Sequence, residues 1–490
     1  MKNKIIDTDL VIVGGGTLGL FIYSQLKNTI KNIKVLDRGN FEPKITKTND
    51  IINKGIYHKG TFTKRAFGIG GNSSLWGGQL AEFTKTELAE YESELGLRKN
   101  ETTKLYKRVY KLLNVKRNDL NNFVKDNKIK IPNKYSIKYF HTNWLNEPNF
   151  SKLYKKKIYK NSSDFITNAK AKKLFIRNKN ITAIEYTIKK KKYLLRAKKY
   201  IFACGTVETI KFFHKNNKVI KSNNIGSYFH DHLGIHVGNV FPIDNNKFSK
   251  IFFNGIYNNS KYQPKLLFRS DNSKYSLAAS GEFKFYSKYH DDLKQLKMGY
   301  VNFINEMKFI HLIKIIKKAI KLNFKFLELL WVYILKQKIK PFYDKGIYFY
   351  IQSEQFSEKN SSIKFNKLNK KFSINWKISK NELDFIKQFA YKTKIFLEKE
   401  KIAKLNINKF KNINYNKFKK VVRDTNHPSG GMIISNDRNK GVVDRKYCVW
   451  GTKNLFIAGS CLFKKSSYAN ITFTSLALAL KLTDYIKKNV

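Results

Sequence analysis

The feature that most restricts the fold lies near the start of the chain. An apolar strand pattern, Asp9-Leu-Val-Ile-Val13, runs into Gly14-Gly-Gly16-Thr-Leu-Gly19 and then a helical pattern from Leu18 to Leu26. A second apolar strand pattern, Ile33 to Leu36, ends at Asp37. Glycines at this spacing suit a chain passing from strand to helix to parallel strand. Gly14 allows the tight turn, Gly16 lets backbone amides approach a diphosphate at the helix N-terminus, and Gly19 lets the helix lie close on the sheet. Asp37 stands where a carboxylate accepts hydrogen bonds from an adenosine ribose. Thr17 at the helix start and Arg38 beside the acid belong to the same expected contact set. The pattern predicts a Rossmann-like α/β nucleotide fold and does not separate a flavin dinucleotide from a nicotinamide one.

A second glycine-rich run, Arg65-Ala-Phe-Gly-Ile-Gly70-Gly71-Asn-Ser73-Ser-Leu-Trp76-Gly77-Gly78-Gln79, brackets a short polar-aromatic stretch. Clustered glycines mark backbone that must approach a ligand or another backbone closely. Further blocks follow in order: Ala197 to Ile210 around Cys204-Gly205, Ile225 to His232, Gly441 to Asp444, Asn454 to Gly459-Ser460, and Asn470. Together they resemble the glucose-methanol-choline (GMC) oxidoreductases. The resemblance implies an FAD-binding Rossmann-like domain of the glutathione-reductase type, with a second α+β domain built on a largely antiparallel sheet. It implies that Gly70, Gly71, Ser73, Trp76 and Gly77 lie along FAD toward the isoalloxazine, with Gly205, Gly459 and Ser460 also at the cofactor. Leu75 replaces the histidine through which some related oxidases link FAD covalently, so the cofactor is expected to be non-covalent.

Alcohol oxidation with a flavin moves a hydride to the ring and a proton off the hydroxyl. A neutral imidazole suits the proton step, because its pKa is close to ambient. His427, in His427-Pro-Ser-Gly-Gly-Met432, matches the family's base position, and Asn470 matches its second catalytic position. The chain departs from the family pattern at Ile471, where proline is usual, and at Ala458, where an acid is common. The implied activity is oxidation of a CH–OH group of an alcohol, a sugar or sugar derivative in the flavour this chain resembles, with the electron acceptor unspecified. Two other readings are a lyase that keeps FAD without redox turnover, and a basic membrane-associated binding protein with a decayed flavin site.

The chain has 490 residues and a formal charge of +60. Its lysines are scattered and arginine is scarce, so the residue suited to bidentate base or phosphate recognition is not concentrated anywhere. No specific nucleic-acid partner is expected; the abundant residues are those of A/T-rich codons, a bias sufficient by itself to write this composition, and the charge reads equally as functional or as that bias. A surface this basic favours anionic membranes. The segment from Phe309 to Phe342 interleaves apolar residues with lysines, which leaves peripheral contact with an anionic membrane open. No secretory signal is evident, so a cytoplasmic location, peripheral to the inner face of the membrane at most, is expected. Cys204, Cys448 and Cys461 have unrelated spacings, and His230, His232 and His236 lack a completing ligand set, so no metal is expected.

Residues 1–80, 190–240 and 420–490 are assigned to a discontinuous FAD-binding domain. Residues 81–189 and 241–419 are assigned to the substrate domain and its connections. Leu174 to Tyr186 and Lys192 to Ala203 read as a strand, turn and return strand. Ser276 to Phe285, Gly346 to Gln352 and Ser361 to Trp376 alternate as strands of a larger antiparallel sheet, and Asn381 to Lys399 reads as a helix. Lys155 to Asn161 and Lys404 to Lys420 read as solvated connections.

Overall fold

The computed structural model describes residues 5–117, 120–126, 135–258, 260–270, 277–289, 291–292, 310, 313, 316 and 341–489. Strand β1 (Ile5–Val13), helix α1 (Thr17–Leu26) and strand β2 (Ile33–Leu36) form its first unit. Strand β3 (Lys191–Phe202), helix α2 (Gly205–Lys215), strand β4 (Leu233–Pro242), strand β5 (Leu455–Ile457) and helix α3 (Thr472–Lys488) position the rest of the site.

Leu10, Val11 and Ile12 are fully buried, as expected of a strand covered on both faces. Strand β1 runs parallel to β2 on one side and to β3 on the other, and β5 pairs parallel with the end of β3. Val13 is therefore level with Leu36 and Phe202, and Phe202 with Ile457. Four parallel strands end in one row, and α1 packs against α3 over one face of them.

The rest of this seven-stranded sheet differs from the strand-turn-strand expectation. Lys170–Arg177, Asn180–Ile188 and β3 form a three-stranded meander. Its turns, Asn178-Lys179 and Lys189-Lys190, place both residues at positive φ. That is the mirror-image turn whose twist suits a two-residue hairpin. These strands, with Phe165–Ile166 beside β2, are hydrogen-bonded into the nucleotide sheet, so that sheet reaches past the boundary expected at residue 190.

Among the described residues the second sheet has nine strands. Its path runs Ala403–Asn406, β4, Ile347–Ser353, Ala278–Phe285, Ser260–Arg269, Ile137–Trp144 and Gln79–Leu80, and its pairings are antiparallel. Arg423–Asp424 also pairs with the start of β4, Leu233 opposite Asp424. This one contact sets Asp231 and His232 beside Thr425 and His427. The Lys380–Lys399 helix forms close to expectation, with the Glu382 carboxylate accepting the Ser379 amide at its start.

Three expectations need correction. Ser362–Asn366 and Lys371–Asn375 do form a hairpin, but they join Ile51–Asn53 in a separate three-stranded sheet. Alternation marks a half-buried strand without naming its neighbour. Residues 404–420 are not a solvated connection. They contain the strand end at Asn406 and helices Asn408–Lys411 and Tyr415–Val421, with Leu405, Phe410 and Phe418 buried. Similarly, Lys155–Lys160 is a short helix that buries Ile158. Lysine density hid the apolar residues that decide both. Of the amphipathic segment from Phe309 to Phe342, only Ile310, Ile313, Ile316 and residues 341–342 are described. Among the described residues no helix is long and apolar enough to cross a membrane.

Candidate active site

A cavity of about 320 Å³ opens at the carboxyl ends of β1, β2, β3 and β5, where open α/β sheets bind their ligands. Gly14 turns the chain at φ +103°, and a Cβ there would meet the Ala203 carbonyl oxygen at 2.6 Å. A Cβ on Gly19 would meet the Gly14 carbonyl oxygen at 1.8 Å, so only glycine lets α1 sit this close to the turn. The amide of Gly70 donates to the carbonyl of Gly15 at 2.8 Å. The two glycine runs, far apart in sequence, therefore form one backbone surface.

Three helices start at this cavity, and none has a side-chain N-cap: α1 after Gly16, α2 after Cys204 and α3 after Ile471. Thr17, Gly205, Thr206 and Thr472 line it. Each uncapped start presents free amides and roughly half a positive charge. A Cβ on Gly205 would meet nothing within 4 Å. Open backbone facing three positive helix ends fits the diphosphate and the electron-rich edge of FAD.

At the far end, Asp37 is held by the chain itself. Its Oδ2 accepts from the Gly15 amide and its Oδ1 from the Gly39 amide, both at 2.8 Å. Burial pushes its pKa up, against the amides and Arg38. Arg38 stacks 4.0 Å above the Phe67 ring and donates to Glu208 at 3.1 Å. Glu208 also pairs with Arg65 at 2.6 Å and Lys211 at 3.1 Å. Burial raises the Glu208 pKa, but Arg65, Lys211 and Arg38 overcome it and hold the carboxyl down at about 2.

At the other end His427 lines the cavity beside Pro428, Gly459 and Ser460. The Ser460 hydroxyl donates to the Pro428 carbonyl at 2.9 Å, which fixes the His427 segment against the end of β5. His427 Nδ1 lies 2.7 Å from Thr425 Oγ1. Burial lowers its pKa below the ordinary histidine value, so the ring is neutral at pH 7. Its Nε2 has no hydrogen-bond partner among the described residues. Behind it is a buried group that the sequence did not reveal. Asp231 accepts from Thr425 Oγ1 at 3.1 Å, and its second oxygen lies 3.1 Å from His58 Nε2. Asp424 accepts the amides of Lys59 and Gly60 at 2.6 and 2.8 Å. His58 had no assignable place, because its carboxylate partners, Asp231 and Asp424, lie more than 170 residues away.

Of the expected site residues, Gly14, Gly16, Thr17, Asp37, Arg38, Gly71, Gly205, Gly459, Ser460 and His427 line the cavity. Gly19, Gly70, Ser73, Trp76, Gly77 and Asn470 stand outside that lining. Ser73 Oγ donates to the Gly70 carbonyl at 2.6 Å and accepts the Phe150 amide at 3.0 Å. Trp76 Nε1 donates to the Pro148 carbonyl at 2.7 Å, and a Cβ on Gly77 would strike the Trp144 ring at 2.8 Å. Asn470 borders a small recess with Gln79, Thr142, Lys265, Ser280 and Gln352, and its Oδ1 accepts from Gln352 at 2.8 Å.

Asp231, His232 and His427 have ligand-type atoms within 4.8 Å of one another, as do His58, Asp231 and Asp424. Both carboxylates already accept hydrogen bonds on both oxygens, so a cation would have to displace them. His214 and His236 are structural: one bonds the Ile363 carbonyl and the other Tyr286.

Residues 358–479 match the family model described as GMC oxidoreductase. Among solved structures, pyridoxine 4-oxidase from Mesorbium loti superposes with a TM-score of 0.62 at 11% identity, covering 99% of this chain and all of that one. Formate oxidase superposes with a TM-score of 0.58 at 14% identity, covering 100% of this chain and 99% of the other. A variant of the Aspergillus oryzae formate oxidase gives the same TM-score, identity and coverage. Comparison with curated proteins by sequence finds no match.

Proposed function

We propose that the chain, whose residues 358–479 match the GMC oxidoreductase family model, is an FAD-binding enzyme of that family and oxidises a CH–OH group of a hydroxyl-rich alcohol, a sugar or sugar derivative. His427 serves as the base and Asn470 as the group that orients the substrate oxygen. FAD supplies the hydride acceptor. It is held without a covalent link, since Leu75 has no nucleophilic atom.

The observation that carries this reading is the placement of His427: a neutral imidazole on the cavity wall, its Nδ1 tied back to Thr425 and its Nε2 without a partner among the described residues. A lone pair at Nε2 takes the hydroxyl proton as the carbon is oxidised, and a pKa held by burial below the ordinary histidine value keeps that lone pair free. The recess bordered by Asn470, Gln79, Thr142, Ser280 and Gln352 measures about 10 Å³, the space of a single water or hydroxyl, and its amides and hydroxyls can both donate to and accept from a hydroxyl placed there. The Lys265 charge also lowers the His427 pKa, so this recess and the base share one electrostatic environment.

The test is anaerobic: FAD-loaded protein is mixed with a panel of free, nucleotide-linked and lipid-linked sugars, and flavin absorbance is followed. Bleaching by at least one of them is expected, with Asn470→Ala slower than the wild type but faster than His427→Ala. A yellow protein that no member bleaches points instead to the lyase reading. Acid precipitation should leave the flavin in the supernatant; flavin retained in the pellet contradicts the non-covalent assignment.

A further inference from the structure

We propose that Thr425 and Asp231 are positioning residues that fix the tautomer of His427, keeping its proton on Nδ1 and its lone pair on Nε2, with His58 holding Asp231 from behind. The inference deepens the reading of His427 as the base and rests on it.

The direction of each hydrogen bond follows from what the atoms can do. An ionised carboxylate only accepts. The Thr425 hydroxyl must therefore donate to Asp231 Oδ1 at 3.1 Å. Its one proton is then committed, so toward His427 Nδ1, 2.7 Å away, it can only accept. Nδ1 must carry the ring proton, and Nε2 is left as the basic atom. A threonine alone could turn either way; the carboxylate behind it removes that choice.

Asp231 is well placed to stay ionised. It is fully buried, which raises its pKa, but the hydrogen bond and charge of His58 overcome this and hold it below the ordinary value. Its Oδ1 also accepts the amides of His232 at 2.7 Å and Thr425 at 3.3 Å. His58 is clamped edge-on by Phe229 and Trp376, with centroids 5.2 and 5.0 Å away, and caps the Lys59–Thr63 helix through Nδ1. Burial lowers the His58 pKa, yet Asp231 and Asp424 outweigh it. In either charge state its Nε2–H points at Asp231.

The other charged and titratable groups around His427 do not offer its Nδ1 a rival partner. Lys265 and Asp424 act on it through space. The His232 ring stands edge-on with its centroid 5.6 Å away, and its Nε2 donates to the Ser467 carbonyl at 2.6 Å. Burial, followed by the neighbouring His427, lowers its pKa to about 3, so it stays neutral. When Nε2 takes a proton, the new cation lies one hydroxyl away from Asp231, and no hydrogen bond in the chain has to reverse.

The tautomer can be read without any substrate. The FAD-loaded full-length protein is labelled with ¹⁵N-histidine and studied by two-bond ¹H–¹⁵N correlation at neutral pH, the His427 signals being identified by their loss in His427→Ala. Wild type and Thr425→Ser should show the proton on Nδ1. Thr425→Val, which fills the same space without a hydroxyl, should shift the tautomer ratio several-fold toward Nε2–H, and Asp231→Ala should do the same. A wild-type ring protonated on Nε2, an unchanged ratio in Thr425→Val, or no rescue by Thr425→Ser overturns the proposal. If Thr425→Val does not fold, the wild-type and Thr425→Ser spectra still decide. With an alcohol that bleaches the wild type, Thr425→Val should reduce on the order of 10²-fold more slowly, and Thr425→Ser close to normally. If no alcohol bleaches the wild type, the assignment of His427 as base fails while the tautomer result stands.

Discussion

The two ends of the cavity are built in opposite ways. At the nucleotide end the cradle itself is backbone: Gly14, Gly16 and Gly71 bring main chain together, three helix starts supply amides, and Asp37 is fixed by two more amides, with the Glu208 cluster of Arg38, Arg65 and Lys211 beside it. At the His427 end they are side chain to side chain, from His58 through Asp231 and Thr425 to His427. The first end needs residues close together in sequence, because a turn is a local object. The second needs a particular sheet pairing, Leu233 opposite Asp424. A backbone cradle is most sensitive at its glycines, where no side chain fits, whereas a buried side-chain network is sensitive at every member.

The largest separation of the two ends is expected from His427→Ala. Flavin reduction should slow by about 10²–10⁴-fold while FAD stays bound, as checked by anaerobic stopped flow beside a measured flavin-to-protein ratio. If the variant reduces at the wild-type rate, or loses FAD, the division of labour between the ends is wrong.

Acid should test the nucleotide end next. The folded-state pKa of Glu208 is held at about 2 against an ordinary 4.5. Its contribution is thus complete above pH 4.5 and lost as pH falls toward 2, and it is worth on the order of 3 kcal/mol. Urea midpoints measured across that window should fall more steeply for the wild type than for Glu208→Gln. Parallel curves would show that Arg65, Lys211 and Arg38 do not stabilise this carboxylate.

Asp37→Ala sharpens the contrast from the cofactor side. It should weaken FAD retention by about 1–3 kcal/mol, measured by equilibrium dialysis, and leave the reduction rate of protein that still holds FAD unchanged. A slowed rate at full occupancy would mean the two ends are coupled. The smallest effect is expected away from both. Arg108 pairs with Asp484 at 2.6 Å on the surface, and Arg108→Ala should cost no more than about 1 kcal/mol in a denaturant melt.

The difference between the ends also explains what could be read in advance. The β1–α1–β2 unit, its glycines and Asp37 were legible because strand period, helix period and turn chemistry lie within about thirty residues. His427 was legible only through the resemblance of its block, since one histidine carries no periodic signal. His58, Asp231, Thr425 and Asp424 were not legible as a group, nor was the burial of Phe410 and Phe418 among lysines.

By itself, then, the sequence determined the nucleotide fold, the class of cofactor and the residue types at the turn, because local backbone sterics and short-range periodicity admit few alternatives. Tertiary structure alone decided which carboxylate stands behind His427, which strands lie beside β3, and that Trp76 and Ser73 brace the glycine run instead of lining the cavity. Those outcomes depend on pairings between segments tens to hundreds of residues apart, fixed only when sheets close and side chains from different strands compete for the same buried space.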